Sequence, residues 1–186
     1  MKRFSSLALS GLVASMAVGC GGEISEGDAA KGWEATNKVL SSGNSMASAS
    51  GNGPEDSFAG LDYSFDYTCP EGGSAEFTGK ITLESIYGEF DWDVAYDNCG
   101  SDGVIIDGTL DFSLDTRSTE TEYSLTYTYT GELVYSGDVD GVCVIDMVGG
   151  TAVNTTETSI SYDVAYKGSI CGHDASEALS GTVAAY

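Results

Sequence analysis

From Phe58 onward, apolar and polar residues alternate one for one. Leu61, Tyr63, Phe65 and Tyr67 interleave with Asp62, Ser64 and Asp66, and Phe90, Trp92, Val94 and Tyr96 interleave with Asp91, Asp93 and Ala95. Period two with aromatic and β-branched residues in one phase marks strands with one dry face and one wet face. The alternation returns through Phe77–Leu83, Val104–Leu114, Tyr123–Tyr135 and Ile160–Ile170, and Leu179 and Val183 close the chain. It predicts an all-β fold, an antiparallel meander of about eight strands. Residues 139–148 are apolar in both phases, which predicts a strand covered on both sides.

Gly79, Gly108, Gly131, Gly168 and Gly181 each fall in the apolar phase of their strand. Glycine inside a strand sacrifices packing and entropy, so five in one phase need a cause. Bending of the sheet is the physical candidate. The expected architecture is therefore a closed or nearly closed barrel, with a β-sandwich as runner-up. The tetrapeptide Asp93-Val94-Ala95-Tyr96 recurs as Asp163-Val164-Ala165-Tyr166, each before a cysteine. A duplicated hairpin and coincidence both account for it.

Residues 21–57 are rich in Gly, Ser and Ala. Within them, residues 28–40 predict a short helix weakened by Gly32, and Ser41–Ser57 read as a disordered linker. Trp33 has two expected places, docked on the β-domain or at a membrane interface.

The first twenty residues carry Lys2 and Arg3, an apolar run from Phe4 to Val18, and the junction Ala17-Val18-Gly19-Cys20. That order is the layout of a secretory signal. It resembles the type II signal peptide of bacterial lipoprotein precursors: Val18, Gly19 and Cys20 fit the lipobox, and Ala17 stands where Leu is usual. The resemblance covers residues 1–20 only. It implies export, cleavage before Cys20, acylation of Cys20, and a place in the cell envelope, held to the outer membrane by acyl chains. The organisation is then a signal peptide over 1–19, an acylated tether over 20–57 and a β-domain over 58–186.

The 186 residues include 29 acidic and 7 basic ones; without Lys2 and Arg3, 5 basic residues remain and the net charge is −24. Such a surface repels phosphates, so no nucleic acid partner is expected. If Cys20 is acylated, Cys69, Cys99, Cys143 and Cys171 remain, an even number that predicts two disulfides in an oxidising compartment. Three pairings exist; Cys69–Cys99 and Cys143–Cys171, joining neighbouring segments, are favoured.

Candidate chemistry is thin. His173 is the only histidine, and no Gly-x-Ser-x-Gly elbow occurs. Asp91 with Asp93, and Asp138 with Asp140, share strand faces but point to water, where both members of a pair stay ionised. Calcium is the one ion with candidates, at the acidic turns holding Asp138 and Asp140, and Asp97 and Asp102; neither completes an EF-hand loop. No cofactor is expected. Eleven tyrosines, most in the apolar phase, would be core or barrel lining. The leading reading is a non-enzymatic, lipid-anchored envelope β-domain with a structural, adhesive or interaction role toward an envelope protein. The alternative is a tethered barrel binding a small apolar or sugar-like ligand. A third reading, an integral outer-membrane barrel, draws on the terminal Tyr186.

Overall fold

Period-two alternation does produce strands, and they form one sheet. The structure, a computed structural model, describes residues 23–49, 61–84, 87–118, 122–155 and 160–180. Eight strands follow one another: β1 (Leu61–Thr68), β2 (Ser74–Glu84), β3 (Tyr87–Ser101), β4 (Val104–Ser118), β5 (Glu122–Gly137), β6 (Gly141–Thr155), β7 (Ile160–Ile170) and the two-residue β8 (His173–Asp174). Each pairs antiparallel with the next, in the order β1 to β8. Among the described residues no pairing joins β1 to β8, so the sheet is not closed and the closed or nearly closed barrel expected from the glycines is not confirmed; nor does a second sheet make a sandwich among them.

A helix takes the place of closure. α1 spans Glu26–Ala49, 24 residues, and so exceeds the predicted 28–40; residues 41–49, expected in the linker, continue it. Residues 50–57 of that linker lie outside the described residues. Ser25 caps α1: its hydroxyl accepts from the Asp28 amide at 3.2 Å and donates to the Asp28 carboxylate at 2.7 Å, a variant of the capping box. Glu26 and Asp28 in the first turn complement the helix dipole.

α1 runs across the strands at the end where four turns cluster. Along the helix, the Ile24 carbonyl meets His173 on β8, Lys31 meets Asp138 in the β5–β6 turn, Lys38 meets Asp102 in the β3–β4 turn, and Gly43 meets the Phe77 ring on β2. A 24-residue helix is about 36 Å long, and strands about 4.8 Å apart put β2 and β8 about 29 Å from each other. One helix therefore covers almost the whole width of the sheet.

The seam is close because α1 presents small residues. A Cβ on Gly32 would stand 2.7 Å from Tyr135 Cε2, and one on Gly43 would overlap Phe77. Trp33 is fully buried and meets Tyr129 edge-on at 4.8 Å, so it docks on the sheet. Thr36, also buried, donates to the Gly32 carbonyl and accepts from the Tyr135 hydroxyl at 3.0 Å. Burial pushes that phenol up to about 12. Val39, Leu40 and Ala29 complete the buried stripe over Val94, Ile106, Leu110, Leu133 and Ile145.

The disulfides Cys69–Cys99 and Cys143–Cys171 lie at the same turn-rich end. Each closes a loop of about 30 residues, worth about 3.5 kcal/mol in the chain-entropy account. A bulge between Tyr96 and Cys99 lets residues three apart both face inward, and the Asn98 amide there donates to Asp107 at 2.8 Å.

Two further expectations are corrected. Leu179 does not belong to a closing strand; it caps the short helix α2 (Ala175–Ala178). Strand β6 is not covered on both sides: Val142, Val144 and Val148 are 51%, 53% and 41% exposed, and Ile105 and Val134 join them on the outer face. Val183 and Gly181 lie outside the described residues.

Candidate functional site

Strands β3 to β6 hold 15 or 16 residues each, longer than one transverse helix can cover. Past α1, the helix-bearing face continues as partly exposed apolar surface, with Phe65, Phe90, Phe112, Leu114, Leu125, Tyr127 and Tyr166 half-buried. Where helix coverage stops, a cleft of about 150 Å³ opens. Asn37, Leu40 and Ser41 of α1 form one wall; Trp92, Phe112, Leu114, Tyr127 and Tyr129 of β3, β4 and β5 form the rest.

The aromatic part is a set of near-parallel rings. Phe112 and Tyr127 lie 6.1 Å apart and 25° from parallel, Tyr127 and Tyr129 6.4 Å apart and 12° from parallel, and Phe112 and Tyr129 5.1 Å apart at 35°. Strand alternation puts Tyr127 and Tyr129 on one face, and register puts Phe112 opposite Tyr129. Trp92 stands edge-on to Phe112 at 6.1 Å and to Phe77 at 5.6 Å, which in turn stacks on Phe65. No charged side chain lines this cleft, in a chain with 29 acidic residues.

A second hollow, about 280 Å³, opens on the outer face and is lined by Asp91, Asp93, Asp111, Ser113, Thr128 and Thr130, with Trp92 and Phe112. Asp93 and Asp111 are cross-strand partners. Partial loss of hydration, then the charge of Asp93 and a hydrogen bond with it, raise the carboxyl of the exposed Asp111 from its ordinary value. A carboxyl raised by folding adds stability at low pH that is lost as pH rises through its folded value. Asp111→Asn should therefore raise the melting temperature at pH 7 and leave it unchanged well below pH 3.8, where both states are protonated. Calorimetry at the two pH values checks this, and a destabilised variant at pH 7 would contradict it.

The other sequence candidates are occupied by the fold. Asp138 pairs with Lys31 at 2.7 Å, and the lysine holds its carboxyl below the usual range. Asp102 pairs with Lys38 at 2.7 Å, raising the lysine. Asp97 accepts from the Asn98 side chain at 2.8 Å, and Asp140 is exposed in its turn. Asp102 and Asp138 thus each hold a lysine of α1. Among the described residues no three His, Cys, Asp or Glu side chains gather as a metal set. His173 Nε2 donates to the Ile24 carbonyl at 2.7 Å, and Asp174 caps α2 by accepting from Ser176 and Glu177 amides. Both serve the junction between chain start and chain end.

Tyr96 and Tyr135 lie buried in the core; the Tyr96 hydroxyl has no hydrogen-bond partner among the described residues, and burial raises it well above the usual phenol range. Cys20 lies outside the described residues. Among the described helices, none is long and apolar enough to cross a membrane. Compared with known proteins, the chain matches no family model, no curated protein and no solved structure.

Proposed function

We propose that the chain is a non-enzymatic, lipid-anchored domain of a bacterial cell envelope that acts by interaction, with the cleft between α1 and the sheet as its binding surface. The observation that carries this reading is the uncharged aromatic cleft left where helix coverage stops. Three groups that could serve a catalyst have structural employment: His173 joins Ile24, just before α1, to β8, and Asp102 and Asp138 hold α1 lysines. A spanning barrel requires a closed sheet with an apolar outer face. This sheet is open, and its outer face carries exposed Asp62, Asp66, Glu76, Asp91, Asp93, Asp111, Glu132 and Asp146.

The anchor part of the reading comes from the lipobox resemblance. Ile24 is already buried in the core, four residues after Cys20. That spacer reaches about 14 Å at most, so an acylated Cys20 would hold the domain close to the bilayer with the start of α1 nearest. The test is fractionation of cells expressing the full chain or its Cys20→Ser variant, with intact mass of the purified products. Wild type should partition with membranes carrying acyl mass, and the variant should move to the soluble fraction. An unmodified thiol at Cys20 would overturn the anchor.

A second reading, a protein partner on the outer face, is favoured by the exposed row of Ile105, Val134, Val142, Val144 and Val148. It leaves the anchor unchanged and moves the binding surface to the opposite side of the sheet.

A further inference from the structure

We infer that the cleft beside α1 takes a single neutral sugar ring, packed against its aromatic side and hydrogen-bonded at its edge by Asn37. This deepens the reading of the cleft as a binding surface and rests on it.

Size comes first. Sites for drug-sized ligands run from about 300 to 1,000 Å³, while this cleft has about 150 Å³, room for one ring-sized group. Charge comes next. The lining holds no acid and no base, although acidic residues crowd the rest of the chain. An anionic ligand would meet the field of a chain of net charge −22 with no cation in the site to receive it. A cationic ligand would find no carboxylate in the lining.

Shape and polarity then separate a sugar from a plain hydrocarbon. Phe112, Tyr127 and Tyr129 crowd together with ring centroids 5.1 to 6.4 Å apart, which makes one side of the cleft aromatic. An aromatic face is electron-rich, and the C–H bonds on one face of a pyranose are polarised positive by the neighbouring oxygens. The opposite wall is not apolar throughout: the Asn37 amide and the Ser41 hydroxyl border it together with Leu40. An amide offers two donors and an acceptor, the match for vicinal hydroxyls. A hydrocarbon would leave the Asn37 amide against apolar surface, and a polar group that loses water without gaining a partner is penalised.

The test uses the full chain in a sugar-free detergent. Glucose, galactose and N-acetylglucosamine are titrated by NMR, following the Trp92 indole N–H, beside p-cresol as an apolar ring of similar size. At least one sugar should shift the Trp92 resonance saturably. Asn37→Leu should weaken that sugar about fivefold to tenfold while leaving p-cresol binding within twofold. Asn37 is half-buried on the helix surface, so folding is checked simply by the unchanged remainder of the spectrum. Binding of p-cresol alone would overturn the sugar assignment and leave the cleft standing as a binding surface. Sugar binding indifferent to Asn37→Leu would place the sugar elsewhere and overturn the inference. Binding of neither probe would overturn the cleft reading as well.

Discussion

Trp33→Ala should cost about 4 kcal/mol of stability, the largest loss available from any one side chain of α1. Trp33 is the largest fully buried side chain and stands edge-on to Tyr129. Its removal leaves a cavity between helix and sheet that Gly32 and Thr36 are too small to fill. For a domain of this size the loss corresponds to a fall in melting temperature of roughly 8 to 16 °C. The ion pairs of the same helix provide the contrast. Lys31–Asp138 and Lys38–Asp102 are half exposed, and exposed pairs are worth about 0 to 1 kcal/mol. Lys31→Ala and Lys38→Ala should therefore melt within a few degrees of wild type. Were Trp33→Ala to melt with the two lysine variants, α1 would not be held by its apolar stripe, and the cleft it walls would lose its basis.

How far the sequence discloses this arrangement depends on the element. The strands are legible because one face is buried and the other wet, so period two is written into the segments from Leu61 to Ile170 outside residues 139–148. The order of the meander follows from short connections between neighbours. Cys69 and Cys99, and Cys143 and Cys171, meet because strands that begin or end at the same edge return to it. Closure is not legible. Bending glycines are compatible with a barrel and equally with an open sheet whose edges are left apart, and what decides is whether another element covers the dry face. That element is α1, and its sequence disguises it. Gly32, Thr36 and Gly43 are poor helix formers, yet each lies where a Tyr135 or Phe77 side chain must approach. The readable signal was at its start, in Ser25 and Asp28 three residues apart.

The same disguise hides the site. Tyr127, Tyr129 and Trp92 are visible as apolar-phase aromatics, but the wall formed by Asn37, Leu40 and Ser41 needs the helix to be present and to cross the strands. Residues 139–148 mislead for the opposite reason. A two-sided apolar strand reads as covered, whereas Val142, Val144 and Val148 face outward on an open layer. Apolar patterning reports what a strand tolerates, and a partner outside the chain tolerates the same residues.

Gly168→Ala should be comparably severe, at about 4 kcal/mol, through two additive causes. Gly168 has a φ of +101°, where an L side chain is strained, and an added Cβ would overlap the Asp146 carbonyl oxygen and stand 2.9 Å from Met147 Cα. Both neighbours are backbone of β6, so no side chain can turn aside. Nor can β7 simply shift away, because Cys171, three residues on, is bonded to Cys143 of β6. Gly172 isolates the collision. It too has a positive φ, +86°, but nothing lies within 4 Å of an added Cβ. Gly172→Ala should bear the strain alone, about 1 to 2 kcal/mol. Chemical denaturation of both variants under oxidising conditions measures the difference. A separation of about 2 to 3 kcal/mol is expected from the overlap. Equal stabilities would mean that β6 and β7 part freely at this point, and that the glycines of the dry face serve conformation only, not the close approach of strands that lets the sheet bend beneath α1.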